Sequence, residues 1–429
     1  MFWLYFVGGL GITALTGLPI GIGLGLTGLA ILHFEAGGAT SLAVTAVWNV
    51  LTDFTLSSVP LFMFMGDLMM KSGLSRRLYS GLAPLFHRVP GRLLHSNIAV
   101  CAMFGAVAGT STSTAAAVGT VAYPELARRG YDKPGVVASL AAGGTLGLLI
   151  PPSLSLLLYG ATQQVSIGRL FLAGIIPGLM MAGLFMLWIY ISAKRNPNLT
   201  PTDGERPTLR EQLLGLLGTW PLVVLVFACL GTVFLGWATP TEAAGLGVAA
   251  AIFVGFLFGE LTLRRTWDAF LNSAIVFASI VLVIIGSLIL SQAVSILGLP
   301  GQVMQGVVDL GVSKYWVLVL IVLVYLVLGC FFDGVSLMLL TIPLAYPVMT
   351  GMGFDPIWLG VIITILIEVG MLTPPVGMNL FVLTAITKHE VSLGSAARAA
   401  MPYWFLLLGG VLILTLFPGI ALWLPGMMG

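Results

Sequence analysis

Charge is what this sequence has least of. Of its 429 residues only 8% are Asp, Glu, Lys or Arg, against about a quarter in a soluble domain. So few charges cannot cover a water-facing surface. With 58% hydrophobic residues, the chain reads as an all-α polytopic membrane protein surrounded by a lipid bilayer. The formal net charge is +2 and no basic stripe is present, so nucleic acid is not an expected partner. Cysteine is equally scarce. Cys101, Cys229 and Cys330 all lie in apolar runs, which fits small core residues and excludes a disulfide framework. His33, His87, His95 and His389 have no metal-ligand spacing. No phosphate-binding G-x-x-x-x-G-K-[ST] occurs, because "GDLMMKS" at 66–72 has Met70 where the glycine belongs. Direct ATP use therefore finds no support. The first 16 residues lack a basic start, so no cleaved signal peptide is expected.

Glycine is abundant, with 54 residues, beside 23 prolines. Such a composition suits close helix packing and interrupted helices, which a membrane tolerates only where protein or a cavity satisfies the freed backbone. Apolar segments fall at 1–16, 18–33, 42–72, 96–125, 135–163, 169–193, 213–236, 241–259, 266–298, 316–350, 357–385 and 402–424. The longest hydrophilic stretch, 194–212, separates two halves, 1–193 and 213–429.

Lys and Arg cluster between the segments: Lys71 to Arg92, Arg128 to Lys133, Lys194 to Arg210, Arg264 with Arg265, and Lys388 with Arg398. The positive-inside rule places all of these in the cytoplasm. Segment 96–125 then has both ends inside and is expected to be a re-entrant hairpin. Segment 316–350, flanked by poorly charged loops, is expected to enter from the other side. Only Arg169 opposes this arrangement.

An internal repeat agrees with it. At an offset of 223 residues "AYP" (122–124) meets "AYP" (345–347), "GYD" (130–132) meets "GFD" (353–355), and "GLLIPP" (147–152) meets "GMLTPP" (370–375). A shift of two residues also aligns 72–81 with 297–306. Each half then holds five crossings and one hairpin, and an odd number of crossings inverts the second half. Paired, broken elements in inverted repeats mark secondary transporters.

The breaks carry the chemistry. Proline lacks an N–H and clashes with the carbonyl one turn back, so each Pro-Pro pair frees carbonyls near Gly147, Leu148 and Ile150 or near Gly370, Met371 and Thr373. A desolvated cation can take those oxygens, and the half-helix N-terminus beyond the break can meet an anion. A plain kink packed by neighbouring helices is the alternative. The first hairpin carries Thr110, Ser111, Thr112, Ser113 and Thr114 in its middle, which suits either helix-packing glue or a cation-coordinating turn. Asp333, in the second hairpin, aligns with Thr110, and an intramembrane carboxylate is a functional candidate. Glu368 aligns with Thr145 and either holds helix geometry or binds a proton. Asn379 has a donor and an acceptor for a polar solute, with core packing an equal alternative. Asp53 and Asp67 suit a surface facing a partner subunit, a cavity or a membrane-surface arm, and read best as helix ends near the interface.

These residues resemble a known family, the large membrane (M) subunits of tripartite ATP-independent periplasmic (TRAP) transporters. The resemblance rests on "SVPLFMFMGDLMMKSGLSRRL" (58–78), "GTSTSTAAAVGTVAYPELARRGYDKP" (109–134), "GGTLGLLIPPSLSLLLYG" (143–160), "LGCFFDGVSLMLLTIPLAYPV" (328–348) and "IEVGMLTPPVGMNLFVLT" (367–384). It covers nearly the whole length. It implies a multi-pass subunit of a bacterial or archaeal inner membrane with the fold of elevator-type ion transporters. It also implies solute import coupled to Na+, with no organic cofactor and no enzymatic activity.

The implied partners are a small four-helix membrane subunit (Q type), a periplasmic substrate-binding protein (P type), and a small organic acid such as a C4-dicarboxylate or sialic acid. Carried over by position, one sodium site would use Thr110, Ser111, Gly147, Ile150 and Pro151, and the other Gly329, Asp333, Gly370 and Thr373. Substrate contacts would fall to Ser113, Ser153, Ser336 and Asn379. Where the family often has "GSS", this chain reads "GTS" at 109–111, which keeps the hydroxyl. The scaffold is expected in 1–72 and 213–298, and the mobile domain in 93–163 and 316–385. A stand-alone sodium/dicarboxylate carrier is the alternative. An intramembrane enzyme would need a nucleophile–base pair or metal cluster, and neither is found.

Overall fold

A computed structural model describes residues 2–201, 207–258 and 260–427, and every regular element among the described residues is a helix. Seven helices are long and apolar enough to cross a membrane, or eight if one bent pair counts as a single span. Part of the expected linker, 202–206, lies outside the described residues. The remainder is shorter than 194–212, because Ile167–Arg195 runs to its start and a helix resumes at Leu209, where Thr208 and Glu211 form a capping box.

Several segments are interrupted where the sequence suggested continuity. Segment 42–72 is two helices, Ser41–Thr52 and Ser58–Lys71, bent by 54° across a short turn. Asp53 sits at the bend, and its Oδ1 accepts the Thr55 N–H at 2.8 Å. Segment 402–424 lies within two helices, Leu393–Leu416 and Gly419–Gly426, separated at Phe417 and Pro418. Phe2–Thr16 and Ile20–Phe34 have 15 residues each, about 22 Å at 1.5 Å per residue. That is short of the roughly 30 Å hydrocarbon core. They pack antiparallel, with Gly9 against Thr27 and Gly23 against Thr13.

The two Pro-Pro pairs end helices. Lys133–Leu149 stops at extended Ile150, and Leu154–Gln163 begins after Ser153. Pro356–Leu372 stops at extended Thr373, and Met378–Ile386 begins after Gly377. Both Pro-Pro peptide bonds are cis. The apolar stretch of Lys133–Gln163 is 94% buried, whereas that of Leu263–Ile296 is 39% buried. A helix buried all round belongs to the molecular centre, so the first broken helix is the hub. The long Leu263–Ile296 helix packs on Ile20–Phe34 and Ser58–Lys71 and leaves an apolar face outward.

Residues from the basic clusters meet loops from distant parts of the chain. Arg77 Nη2 lies 3.7 Å from Glu260 Oε1, Arg92 Nη1 donates to Pro201 O at 2.9 Å, and Lys133 Nζ lies 2.9 Å from Glu390 Oε2. Lys314 stands 5.0 Å from the ring centroid of Phe354, which lies in the loop after Gly334–Gly351.

Candidate functional site

Two helical turns converge on one cavity. In the first, Leu93–Ala108 ends at Gly109, whose left-handed φ of 66° reverses the chain, and extended Thr110 leads into Ser111–Arg128. In the second, Lys314–Leu328 ends at Gly329, and Asp333 opens Gly334–Gly351 by accepting the Ser336 N–H on Oδ2 at 3.1 Å. An aspartate in this position satisfies one of the donors that a helix start leaves without an intrahelical partner. Asp333 Oδ1 makes no hydrogen bond among the described residues.

The cavity measures ≈ 370 Å³. Thr110, Ser111, Thr112 and Ser113 of the first turn and Asp333 to Ser336 of the second form one wall. Met63, Gly66 and Asp67 from Ser58–Lys71, with Asn272, Val276, Ser279, Ile280 and Val283 from Leu263–Ile296, also line the cavity. Leu148, Leu154, Met371 and Met378 border it from the two breaks. Of the residues expected to bind sodium or substrate, Thr110, Ser111, Ser113, Asp333 and Ser336 therefore meet in one place.

The others stand behind this lining. Gly147 supports the first turn, because a Cβ there would lie 2.8 Å from Thr110 O, and one on Gly105 would lie 2.6 Å from Gly147 Cα. Gly370 supports the second in the same way, since a Cβ on it would lie 2.9 Å from Gly329 Cα. Only glycine allows the broken helices to approach the hairpin arms this closely. Ile150 packs on Gly178, and Pro151 is buried beside it.

Ser153 caps Leu154–Gln163 by accepting the Leu156 N–H at 3.2 Å, and its hydroxyl donates to Leu148 O. The Leu154 N–H donates to Gly109 O at 3.0 Å. Two N–H groups at this start are thus satisfied within the chain. Thr373 Oγ1 donates to Val369 O at 2.6 Å and accepts Trp404 Nε1–H at 2.9 Å, which leaves one lone pair.

Asn379 is buried away from the cavity lining. Its Nδ2 donates to Ser111 Oγ at 2.6 Å and to Ala141 O at 3.0 Å. Thr110 Oγ1 and Asn379 Oδ1 are buried without hydrogen-bond partners. Unpaired buried oxygens are rare enough to call for an occupant or a role. Two such atoms on and behind the first turn suit an oxygen-coordinated cation. Glu368 is fully buried in Pro356–Leu372 with neither oxygen hydrogen-bonded. One turn earlier on the same face, Thr364 Oγ1 lies 3.1 Å from Ser155 Oγ. No cluster of His, Cys, Asp and Glu suited to a metal is present among the described residues.

Of the alternatives open for Asp67, the structure favours the cavity: it is a lining residue, and its Oδ2 accepts Asn272 Nδ2–H at 2.7 Å and Ser273 Oγ–H at 2.8 Å. An acid inside the apolar run "FMFMGDLMM" was the available signal. Asn272, Ser279 and Trp404 reach their places through tertiary packing and carried no such signal.

Outside the membrane-spanning helices, Glu390 Oε2 accepts from Lys133 Nζ at 2.9 Å and from Tyr123 OH at 3.0 Å. The Lys133 and Tyr123 hydrogen bonds hold its carboxyl below the usual carboxylate range.

Residues 7–420 match the family described as "Tripartite ATP-independent periplasmic transporter, DctM component". The chain is 33% identical over 411 residues to the C4-dicarboxylate TRAP transporter large permease protein DctM of Pseudomonas aeruginosa, covering 95% of this chain and 94% of that one. It is 31% identical over 377 residues to the ectoine/5-hydroxyectoine TRAP transporter large permease protein UehC of Ruegeria pomeroyi, covering 86% of each. The fold is similar to that of the Alcanivorax borkumensis YdaH transporter, with a TM-score of 0.64 at 17% identity over 92% of this chain and 90% of that one. The motifs around both turns and both breaks, and a match over nearly the whole length, establish that the chain belongs to the DctM component family of tripartite ATP-independent periplasmic transporters.

Proposed function

We propose that this large permease subunit imports a small organic acid, a C4-dicarboxylate, sialic acid or similar carboxylate, by a sodium-coupled elevator movement. The observation that carries the reading is the cavity shared by both turns and by two helices of the expected scaffold. A binding site at the seam between two domains can change the side it opens to when one slides past the other. In this reading the two hairpins enter the membrane from opposite faces and travel with the two broken helices. A Q-type membrane subunit braces the scaffold, and a P-type binding protein delivers the solute.

Correspondences between the halves support an inverted repeat. The offset of 223 residues carries the Ser155–Thr364 contact onto positions 378 and 141, one residue from the Asn379–Ala141 hydrogen bond. Gly147 and Gly370 occupy equivalent positions, and each meets a glycine of a hairpin arm. Gly73 and Gly298, both with positive φ, open the short helices Leu74–Leu82 and Leu299–Asp309.

The donor sets fit sodium. At the first site Thr110 Oγ1 is an unpaired buried hydroxyl, and Gly147 of the first broken helix packs directly on this turn. At the second, Asp333 supplies charge and Thr373 a remaining lone pair. The ion supplies positive charge that offsets the solute carboxylate. The chain's own residues fix the turns, exclude water with Leu148 and Met371, and present Ser113 and Ser336 to the solute.

Proteoliposomes carrying the chain with its Q-type and P-type partners test this. Uptake of a labelled organic acid is expected to require both an inward sodium gradient and the binding protein. Uptake by the chain alone would move it to the stand-alone carrier class.

A further inference from the structure

Among the described residues the cavity is lined by two carboxylates and by no Lys, Arg or His. That balance is unusual for a site that receives an acid. The two carboxylates differ in what they already do. Asp333 starts a helix by accepting the Ser336 N–H, and it belongs to the wall assigned to sodium above. Asp67 starts no helix, for it lies well inside Ser58–Lys71.

Both hydrogen bonds to Asp67, from Asn272 and Ser273, fall on Oδ2. Its Oδ1 makes none among the described residues. Lys71, one turn further along the same helix, forms no salt bridge with it; the salt bridges found involve Arg77, Arg128, Arg129 and Lys133. Asn272 and Ser273 thus fix the rotamer of Asp67, and its negative charge is left uncompensated at the cavity wall.

A solute bearing only carboxylates would meet two fixed negative charges and no fixed positive one. Partial exclusion of water makes that repulsion stronger than at an open surface. A sodium ion held by the hairpin turns offsets the charge of Asp333, whereas Asp67 belongs to a different element, Ser58–Lys71, and is held by Asn272 and Ser273. A solute with one carboxylate and one cationic nitrogen meets complementary groups. Its carboxylate faces the hydroxyls of Ser113 and Ser336, and its nitrogen faces Asp67.

We infer that the transported solute is a zwitterion, a small acid carrying a positively charged nitrogen, and that Asp67 recognises the nitrogen. The inference rests on the carrier reading above and narrows its substrate class. Discrimination by like-charge repulsion is a common route to specificity.

The test uses proteoliposomes with both partner proteins and an inward sodium gradient. Labelled ectoine, glycine betaine and γ-aminobutyrate are set against labelled succinate, malate and isethionate. Sodium-driven uptake is expected among the first three. Asp67→Asn, which keeps the size and one hydrogen-bond acceptor, is expected to cut that uptake by roughly tenfold or more, and Asp67→Glu to recover part of it. The wild-type panel decides even if a variant fails to fold. Sodium-driven uptake confined to the nitrogen-free acids would overturn the zwitterion assignment and leave the carrier reading intact. Zwitterion uptake that Asp67→Asn leaves unchanged, in protein with a wild-type melting curve, would overturn the role of Asp67. No sodium-driven uptake of any of the six would overturn the zwitterion inference, while the carrier reading would stand or fall on labelled sialic acid assayed in the same vesicles.

Discussion

Asn379 Nδ2 donates to Ser111 Oγ at 2.6 Å, across 268 positions of sequence. One buried amide thus ties the half-helix after the second break to the tip of the first hairpin, and through Ala141 O to the first broken helix. If this group moves as one body, the amide is part of what holds it together. Asn379→Ala is expected to destabilise the protein by about 1–3 kcal/mol, the usual cost of leaving buried partners unsatisfied. A lower melting temperature in detergent and a weaker apparent sodium affinity are the readouts. An unchanged melt and unchanged sodium dependence would remove Asn379 from the account.

Gly147 and Gly370 test the close approach of broken helix and hairpin. Alanine at either position places a Cβ within 2.6–2.9 Å of a neighbouring atom. Overpacking of this kind costs about 1–3 kcal/mol, and uptake is expected to fall sharply. Gly183 meets nothing within 4 Å, so Gly183→Ala is expected to be neutral or slightly stabilising, as glycine-to-alanine changes in a helix usually are. Equal behaviour of all three variants would show that the glycine contacts carry no weight.

Asp333 combines a cap with a charge, and Asn separates them. Asn caps a helix about as well as Asp, so Asp333→Asn is expected to fold while needing at least about tenfold more sodium for half-maximal uptake, the scale of losing a charged ligand. Asp333→Ala is expected to lose stability as well. Wild-type sodium dependence in Asp333→Asn would place the coupling ion elsewhere.

The Lys133–Glu390–Tyr123 contact predicts a pH effect outside the membrane-spanning helices. The folded-state pKa of Glu390 is depressed, with its Lys133 hydrogen bond the largest cause. Its contribution to stability is therefore present above the unfolded-state carboxyl pKa and lost as pH falls through the lower folded-state value. The melting temperature of wild type is expected to drop over that acid window more than that of Glu390→Gln. Identical acid profiles would show that the contact adds no stability.

How far these features are legible in sequence depends on how local their causes are. Proline chemistry is local, so the interruptions at 150–153 and 373–377 follow from Pro151-Pro152 and Pro374-Pro375 without a structure. The hydroxyl run at 110–114 and the lone acid Asp333 could be singled out because polar groups are costly in hydrocarbon. Asp67 was harder to place. Near the end of an apolar run an acid looks interfacial, and only the 54° bend after Thr52 and the packing of Leu263–Ile296 bring it to the cavity. Asn379 carried the right chemistry, but side-chain direction sends it to Ser111 rather than into the cavity. The 15-residue lengths of the first two helices show the limit of hydropathy, which marks apolar segments but not whether each one spans.

In the proposed elevator movement the hairpin tips slide past Ser58–Lys71 and Leu263–Ile296. Met63 and Val335 line the same cavity from these two groups of elements, so cysteines placed there, in a chain with Cys101, Cys229 and Cys330 replaced, can be joined by a short cleavable bis-thiol crosslinker. Crosslinking is expected to abolish sodium-driven uptake and cleavage of the linker to restore it, with each single-cysteine variant unaffected by the reagent. Undiminished uptake by fully crosslinked protein would contradict that movement.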